Sequence, residues 1–334
     1  MSEPSFPEVI DAPRLGDSRG EIVVVCPDHV PVLIRSAGNR ATGRFLEFFA
    51  AHLRNPGTRE AYARAVGSFC RWCERRGIEL GQVSPLVVAA YIEQLTRQRS
   101  APTVKLSLAA LRMLFDYLVT GQVVPVNPAA SVRGPKHVVR KGKTPVLTAE
   151  ETRRLLDAID TRTIVGLRDR ALIGVMVYSF ARVSAVVGMN VEDFFPQGRR
   201  MWFRLHEKGG KHHEVPAHHN ADDYVQAYVS AAGIEADRHM PLFRTVSRRR
   251  VLTTRRLHRT DVLRMIKRRA RQTGLPDHIG CHTFRATGIT AYLCNGGSLE
   301  HAQQIAAHES VRTTKLYDRT SDAISLDEIE RIVI

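Results

Sequence analysis

Long hydrophobic runs are missing from this sequence. No uninterrupted apolar stretch approaches the roughly 18 residues that a membrane-crossing helix needs, which argues against a helical membrane protein. Met1 to Ile10 is acidic and contains proline, so the basic-then-apolar pattern of a secretory leader is missing too. Cysteine is scarce: five in 334 residues, at Cys26, Cys70, Cys73, Cys281 and Cys294. An odd, sparse set in a chain of this length speaks against a disulfide framework. Cys70 and Cys73 have the spacing of half a zinc site or a redox pair. They fall inside an apparent helix over residues 62–76 and have no second pair of matching spacing, so core packing is expected of them. No Walker phosphate-binding motif is visible, and no repeat recurs at a fixed period. These absences lead to the expectation of a cytoplasmic protein, lying on the nucleoid if the source is bacterial.

Negative charge is also in short supply. Against 49 Lys and Arg stand 34 Asp and Glu, a formal net charge of +15. Such an excess favours a polyanionic partner, because each cation set against a phosphate releases a condensed counterion. Arginine dominates, and its planar fork matches phosphate oxygens. The plainer alternative is a basic, well-solvated surface with no nucleic-acid role.

The hydrophobic fraction of 43% supplies more than one core, and the length suits two domains. Residues 1–38 hold a short β-branched run at Ile22 to Val25 and then turn residues, and are expected to form an N-terminal arm. Residues 39–132 carry four stripes at helical spacing. They are Phe45, Leu46, Phe49 and Leu53; Tyr62, Val66, Phe69 and Trp72, after an Asn55-Pro56-Gly57 turn; Leu86, Ala89, Tyr91, Ile92 and Leu95, after Ser84-Pro85; and Leu108, Leu111, Leu114, Phe115 and Leu118. They predict a four-helix domain. Residues 133–147 are basic and punctuated by Gly and Pro, as in a linker. A second domain, 148–320, opens on a capping box from Thr148 to Glu151. A helix is expected over 167–179. A strand over 201–207, the turn Lys208-Gly209-Gly210-Lys211 and a strand near Glu214-Val215 predict a β-hairpin. The rest reads mostly as helix, and residues 321–334 form a tail. The fold class is therefore mainly α with a small β-sheet or hairpin.

Chemistry-bearing residues gather in the second domain: Arg182, Lys208, His282, Arg285, His308 and Tyr317. His282 and Arg285 are three apart, so a helix presents them from neighbouring positions on one face. A helix end and a short turn can bring His308 and Tyr317 to the same pocket. Phosphoryl transfer needs positive groups at the non-bridging oxygens, an activated nucleophile and a proton for the leaving oxygen. Two arginines, two histidines, a lysine and a tyrosine can supply these with no metal and no cofactor. Each residue alone has a bland reading as surface pair, polar turn or half-buried packing. A further group near the hairpin, His206, His212, His213, His218 and His219, raises a zinc site as an alternative. It lacks a Cys or acidic cluster at ligand spacing, and strand alternation splits it between two faces.

In this order and spacing the residues resemble the tyrosine recombinase (phage integrase) family, including its Xer-type and integron-type members, over about residues 45–334. The resemblance implies a two-domain, C-shaped DNA clamp in which the helical domain is the core-binding domain. It implies a site-specific recombinase that cleaves and rejoins double-stranded DNA through a 3′-phosphotyrosine, for integration, excision or transposition of a mobile element. Arg182 and Arg285 would then bind the scissile phosphate and His308 would hydrogen-bond a phosphoryl oxygen. Lys208 would protonate the leaving 5′ oxygen, and His282 would act as base or proton relay for the nucleophile Tyr317. A homotetramer on two duplexes, joined by 321–334 docking on neighbouring protomers, is implied as well. The chain departs from the family pattern at Ala185, where an acid is usual; at Ala306-Ala307 before His308, where Leu-Gly is usual; and at Ala286, often His. A type IB topoisomerase shares the chemistry, and a DNA-binding protein that has lost catalysis is a second alternative.

Overall fold

The computed structural model describes residues 30–137, 142–207, 211–249 and 251–318. The expected arm up to residue 29, the Lys208-Gly-Gly turn and the tail 321–334 lie outside them. The chain divides into two compact units, residues 1–138 and 139–334.

The first unit is helical: α1 (Val32–Arg35), α2 (Asn39–Glu47), α3 (Pro56–Glu74), α4 (Pro85–Gln98) and α5 (Ala101–Thr120). A π-helical turn, Phe48–His52, continues α2. Each long helix starts where a polar side chain precedes proline, which lacks the N–H that a first turn leaves unpaired. Asn55 accepts from the Thr58 N–H at 3.1 Å and Ser84 from the Val87 N–H at 3.4 Å. Asn55-Pro56-Gly57, expected as a turn, is therefore the start of α3. The stripes meet in one core, where Phe69 packs edge-on against Tyr91 at 5.1 Å and Phe115 at 6.2 Å. Cys70 and Cys73 are both buried there, and burial pushes both thiols up, Cys73 to about 11. Residues 30–38, read from sequence as part of the arm, carry α1 and bury Val30, Leu33 and Ile34 in the same core.

The second unit has α6 (Ala149–Asp157), α7 (Ile164–Tyr178), α8 (Val183–Gly188), α9 (His219–Ala232), α10 (Arg259–Gln272), α11 (Cys281–Cys294), α12 (Leu299–Ile305) and α13 (Val311–Lys315). Its capping box is formed: the Thr148 hydroxyl accepts from the Glu151 N–H at 3.1 Å, and the Glu151 carboxylate from the Thr148 N–H at 2.8 Å. Helix α7 is buried on nearly every side from Gly166 to Val177 and runs through the core, with its charged Arg168 and Asp169 buried as an ion pair at 2.8 Å. Strands β1 (Phe194–Gln197), β2 (Arg200–Glu207) and β3 (Lys211–Pro216) form an antiparallel sheet in that order. A second, two-stranded ribbon, β4 (Arg244–Val246) and β5 (Leu252–Arg256), was not anticipated. It contains Arg256, the last of a run of arginines (Arg248 to Arg250, Arg255 and Arg256) whose charge suits either a DNA-backbone contact or a solvated loop. Arg256 instead donates to the Val187 and Met189 carbonyls at 2.6 and 2.9 Å, tying down the end of α8.

No helix among the described residues is long and apolar enough to cross a membrane.

Candidate active site

Helix α11 carries His282 and Arg285 on its first turns. From Thr283 to Thr290 it is buried, and it crosses α7 at backbone contact. A Cβ at Gly288 would stand 2.0 Å from the Val177 carbonyl oxygen and 2.8 Å from the Phe180 ring. That close approach places Arg285 inside the unit, 1% exposed. Its guanidinium donates to the Phe180 carbonyl, at the end of α7, and to the Ala306 carbonyl at 2.6 Å, at the end of α12. Both acceptors neighbour strained backbone: Phe180 has φ +55° and Ala307 φ +48°, a region that L residues rarely adopt. Burial, and then the charge of Arg182, push Arg285 down to about 10, so it stays cationic at neutral pH.

Arg182 is the N-cap residue of α8. Its guanidinium forms an ion pair with Glu207, whose side chain is 3% exposed against 29% for the arginine. The Glu207 carboxylate also accepts from the Arg182 backbone N–H at 3.4 Å. Ala185, one helical turn further on, is fully buried.

His308 follows α12 and is buried, with Nδ1 2.8 Å from the Thr314 hydroxyl. When that hydroxyl donates, Nδ1 accepts and the imidazole proton resides on Nε2. Burial, followed by Arg285, Arg182 and His282, pushes His308 down to about 3. His282 is accessible on α11, yet packing around its ring, and after it Arg285 and Arg182, hold it below its usual value. Tyr317 follows α13. Its ring stacks on His308 with centroids 5.7 Å apart and planes 7° apart. Its carbonyl accepts from the Thr290 hydroxyl at 2.8 Å, and its phenol lies close enough to Arg285 to act on that guanidinium electrostatically.

Arg182, His282, Arg285, His308 and Tyr317 are thus brought together, although they come from four stretches of a 136-residue span. Lys208 is outside the described residues. Glu207 was missed from sequence. The signal was the alternation of β2: Phe203, Leu205 and Glu207 share its buried face, and a buried carboxylate needs a partner.

The hairpin histidines do not converge. His206 and His212 face each other across β2 and β3, centroids 4.7 Å apart. His213 Nε2 meets the Ile305 carbonyl at 3.0 Å. Among the described residues, no group of three or more His, Cys, Asp or Glu is placed to hold a metal ion.

Such a cluster, cationic around one tyrosine, suits chemistry on a phosphodiester. The phage integrase family matches residues 145–323, and the phage integrase N-terminal SAM-like domain matches residues 44–122. A tyrosine recombinase XerC of Syntrophus aciditrophicus is 32% identical over 248 residues, covering 72% of this chain and 76% of the relative. The XerC of Chlamydia muridarum is 31% identical over 233 residues, covering 69% and 70%. Among solved structures, a lambda integrase tetramer bound to a Holliday junction superposes with a TM-score of 0.61 at 20% identity, covering 85% of this chain and 78% of that one. The chain belongs to the phage integrase family. It is a tyrosine-type site-specific DNA recombinase.

Proposed function

We propose that the site cleaves DNA with Tyr317 and exchanges strands without a metal or a nucleotide cofactor. The observation that carries this reading is the placement of Tyr317 against His308 and Arg285. Arg182 and Arg285 receive the non-bridging oxygens of the scissile phosphate and stabilise the charge that grows on them. Neutral His308 donates its Nε2 proton to one of these oxygens. The Tyr317 oxygen attacks phosphorus as His282 relays its proton away, and the bond to the 5′ oxygen breaks. Lys208 protonates that oxygen. A 3′-phosphotyrosine and a 5′-hydroxyl result, and a 5′-hydroxyl from a partner strand reverses the step. The bond energy stays in the ester, so strand exchange consumes no ATP.

The basic stretch 133–147 is assigned as an interdomain linker that lies along DNA, on its charge. A homotetramer on two duplexes is proposed from the likeness to the lambda integrase tetramer. Residues 321–334 are assigned as the docking segment because Ile324, Leu326, Ile329, Ile332 and Val333 make an apolar stripe at helical spacing, and so short a helix is not stable alone. Integration, excision or transposition of a mobile element in the cytoplasm is the role proposed.

The test is to incubate the protein with fragmented DNA of its source replicon, denature it, and sequence the covalently attached ends. Wild-type protein is expected to capture a recurrent short sequence by its 3′ end. Tyr317→Phe, which lacks only the phenolic oxygen, is expected to bind the same DNA and yield no adduct. Adducts persisting in Tyr317→Phe would remove Tyr317 as the nucleophile.

A further inference from the structure

We propose that Glu207 is a positioning residue for the cleavage step: its buried carboxylate holds the Arg182 guanidinium in the orientation that receives the scissile phosphate, a support that Ala185 cannot give. The inference rests on the reaction proposed above.

The geometry fixes Arg182 at both ends. One Glu207 oxygen accepts from its backbone N–H at 3.4 Å, and the other pairs with its Nη1. An arginine side chain has several rotatable bonds, and clamping both backbone and tip removes most of that freedom before DNA arrives. The carboxylate takes one edge of a fork that carries five N–H donors. The Arg182 side chain retains 29% exposure while that of Glu207 retains 3%, so the arginine is the partner that can meet a ligand.

Burial shows why the acid is not incidental. Glu207 ends the inward face of β2 behind Phe203 and Leu205, both fully buried. A carboxylate left there without Arg182 would be strongly unfavourable, so the contact is obligatory in the folded chain. Charge points the same way. Arg182 and Arg285 each bring a cation to one pocket, with His282 and His308 beside them. Glu207 is the acid that appears in the electrostatics of both His282 and Arg285. Without it, repulsion from Arg285 drives the more exposed Arg182 outward.

The usual position for an acid that supports this arginine, three residues after it, is Ala185, with a buried methyl group. The carboxylate here arrives from the sheet instead of from α8. It also sits next to Lys208 in the chain, so two routes of action are separable by experiment.

Single-turnover cleavage of the captured DNA site is to be measured for wild-type protein, Glu207→Gln and Glu207→Ala, together with DNA affinity and melting temperature. Glu207→Gln keeps the side-chain shape and serves where Glu207→Ala fails to fold. Cleavage is expected to fall roughly tenfold in Glu207→Gln and roughly a hundredfold in Glu207→Ala, as for loss of preorganised charge stabilisation. Affinity is expected to hold or to tighten, because a negative charge leaves a phosphate site. The cleavage defect is also expected on a 5′-bridging phosphorothiolate, whose thiolate leaves without needing the Lys208 proton. Wild-type cleavage rates in both variants would overturn the inference. So would rescue of the variants by the phosphorothiolate, which would assign Glu207 to Lys208. Cleavage and affinity falling together with melting temperature would make Glu207 a packing residue only. No adduct from wild-type protein would overturn the proposed reaction, and this inference with it.

Discussion

A histidine buried among cations has one favourable state, the neutral one, and His308 is held in it at any pH where the enzyme would work. Its folded value of about 3 lies well below the roughly 6.5 of an unfolded histidine. As pH falls through that unfolded value, the unfolded chain binds a proton that the folded chain refuses. The stability contributed is therefore complete above pH ~6.5 and is lost progressively toward pH ~3. By pH 4.5, two units below the unfolded value, the expected loss from this residue is about 3 kcal/mol. His282, shifted in the same direction, adds to it. Urea unfolding of the DNA-free protein at pH 7.5 and 4.5 checks this against His308→Asn, which should show a smaller acid loss. Equal losses in the two proteins would mean that folded His308 takes up a proton as readily as the unfolded residue. At this scale the sequence is informative about residue types and order, because the His-x-x-Arg spacing carries its own geometry. It is silent about Glu207, whose role depends on which face of β2 turns inward. It is equally silent about Ala307, where φ +48° explains why glycine is usual before the histidine of this family.

Helix α11 can reach α7 only because Gly288 has no side chain. A methyl group there would meet the Val177 carbonyl oxygen at 2.0 Å, and neither backbone can yield without separating the helices. Gly288→Ala is expected to destabilise the protein by about 2–3 kcal/mol, as overpacking does, and to move Arg285 away from the Phe180 and Ala306 carbonyls. Gly188→Ala is the control: nothing lies within 4 Å of its added Cβ, and alanine is the better helix former, so stability is expected to hold or rise by about 0.5 kcal/mol. Denaturant midpoints of the two variants decide the matter; equal midpoints would show that the α7–α11 crossing tolerates a methyl group. Helices of the first unit were legible because polar caps, prolines and apolar stripes coincide at Ser84-Pro85 and again at Asn55-Pro56. The turn Phe48–His52 was not, since a π-helical turn has no composition of its own. The ribbon of β4 and β5 was hidden by charge: an arginine-rich run reads as a DNA contact or a solvated loop until Arg256 is seen to bind the carbonyls at the end of α8.

At the scale of the molecule, the two units keep separate cores. One gathers Val30 to Val132 and the other Leu147 to Phe284, with no residue in common. A core of its own lets a unit fold alone, so a chain of residues 139–334 is expected to unfold cooperatively. It retains Tyr317 and the residues around it, and is expected to form the covalent adduct on the captured DNA site. Affinity is another matter. The net charge of +15 belongs to the whole chain, and each phosphate neutralised adds roughly −0.9 to the slope of log K against log salt on duplex DNA. If residues 1–138 contribute cations to DNA backbone contacts, the shorter chain must bind more weakly and with a shallower slope. Fluorescence anisotropy on one labelled site, from about 50 to 200 mM salt, measures both quantities in the range where phosphate contacts dominate. Equal slopes for the two chains would mean that the helical unit neutralises no phosphates, and the charge on it would then be solvation only. A shallower slope for the shorter chain, with its adduct intact, would divide the labour: phosphate grip shared between both units, bond breaking confined to the second.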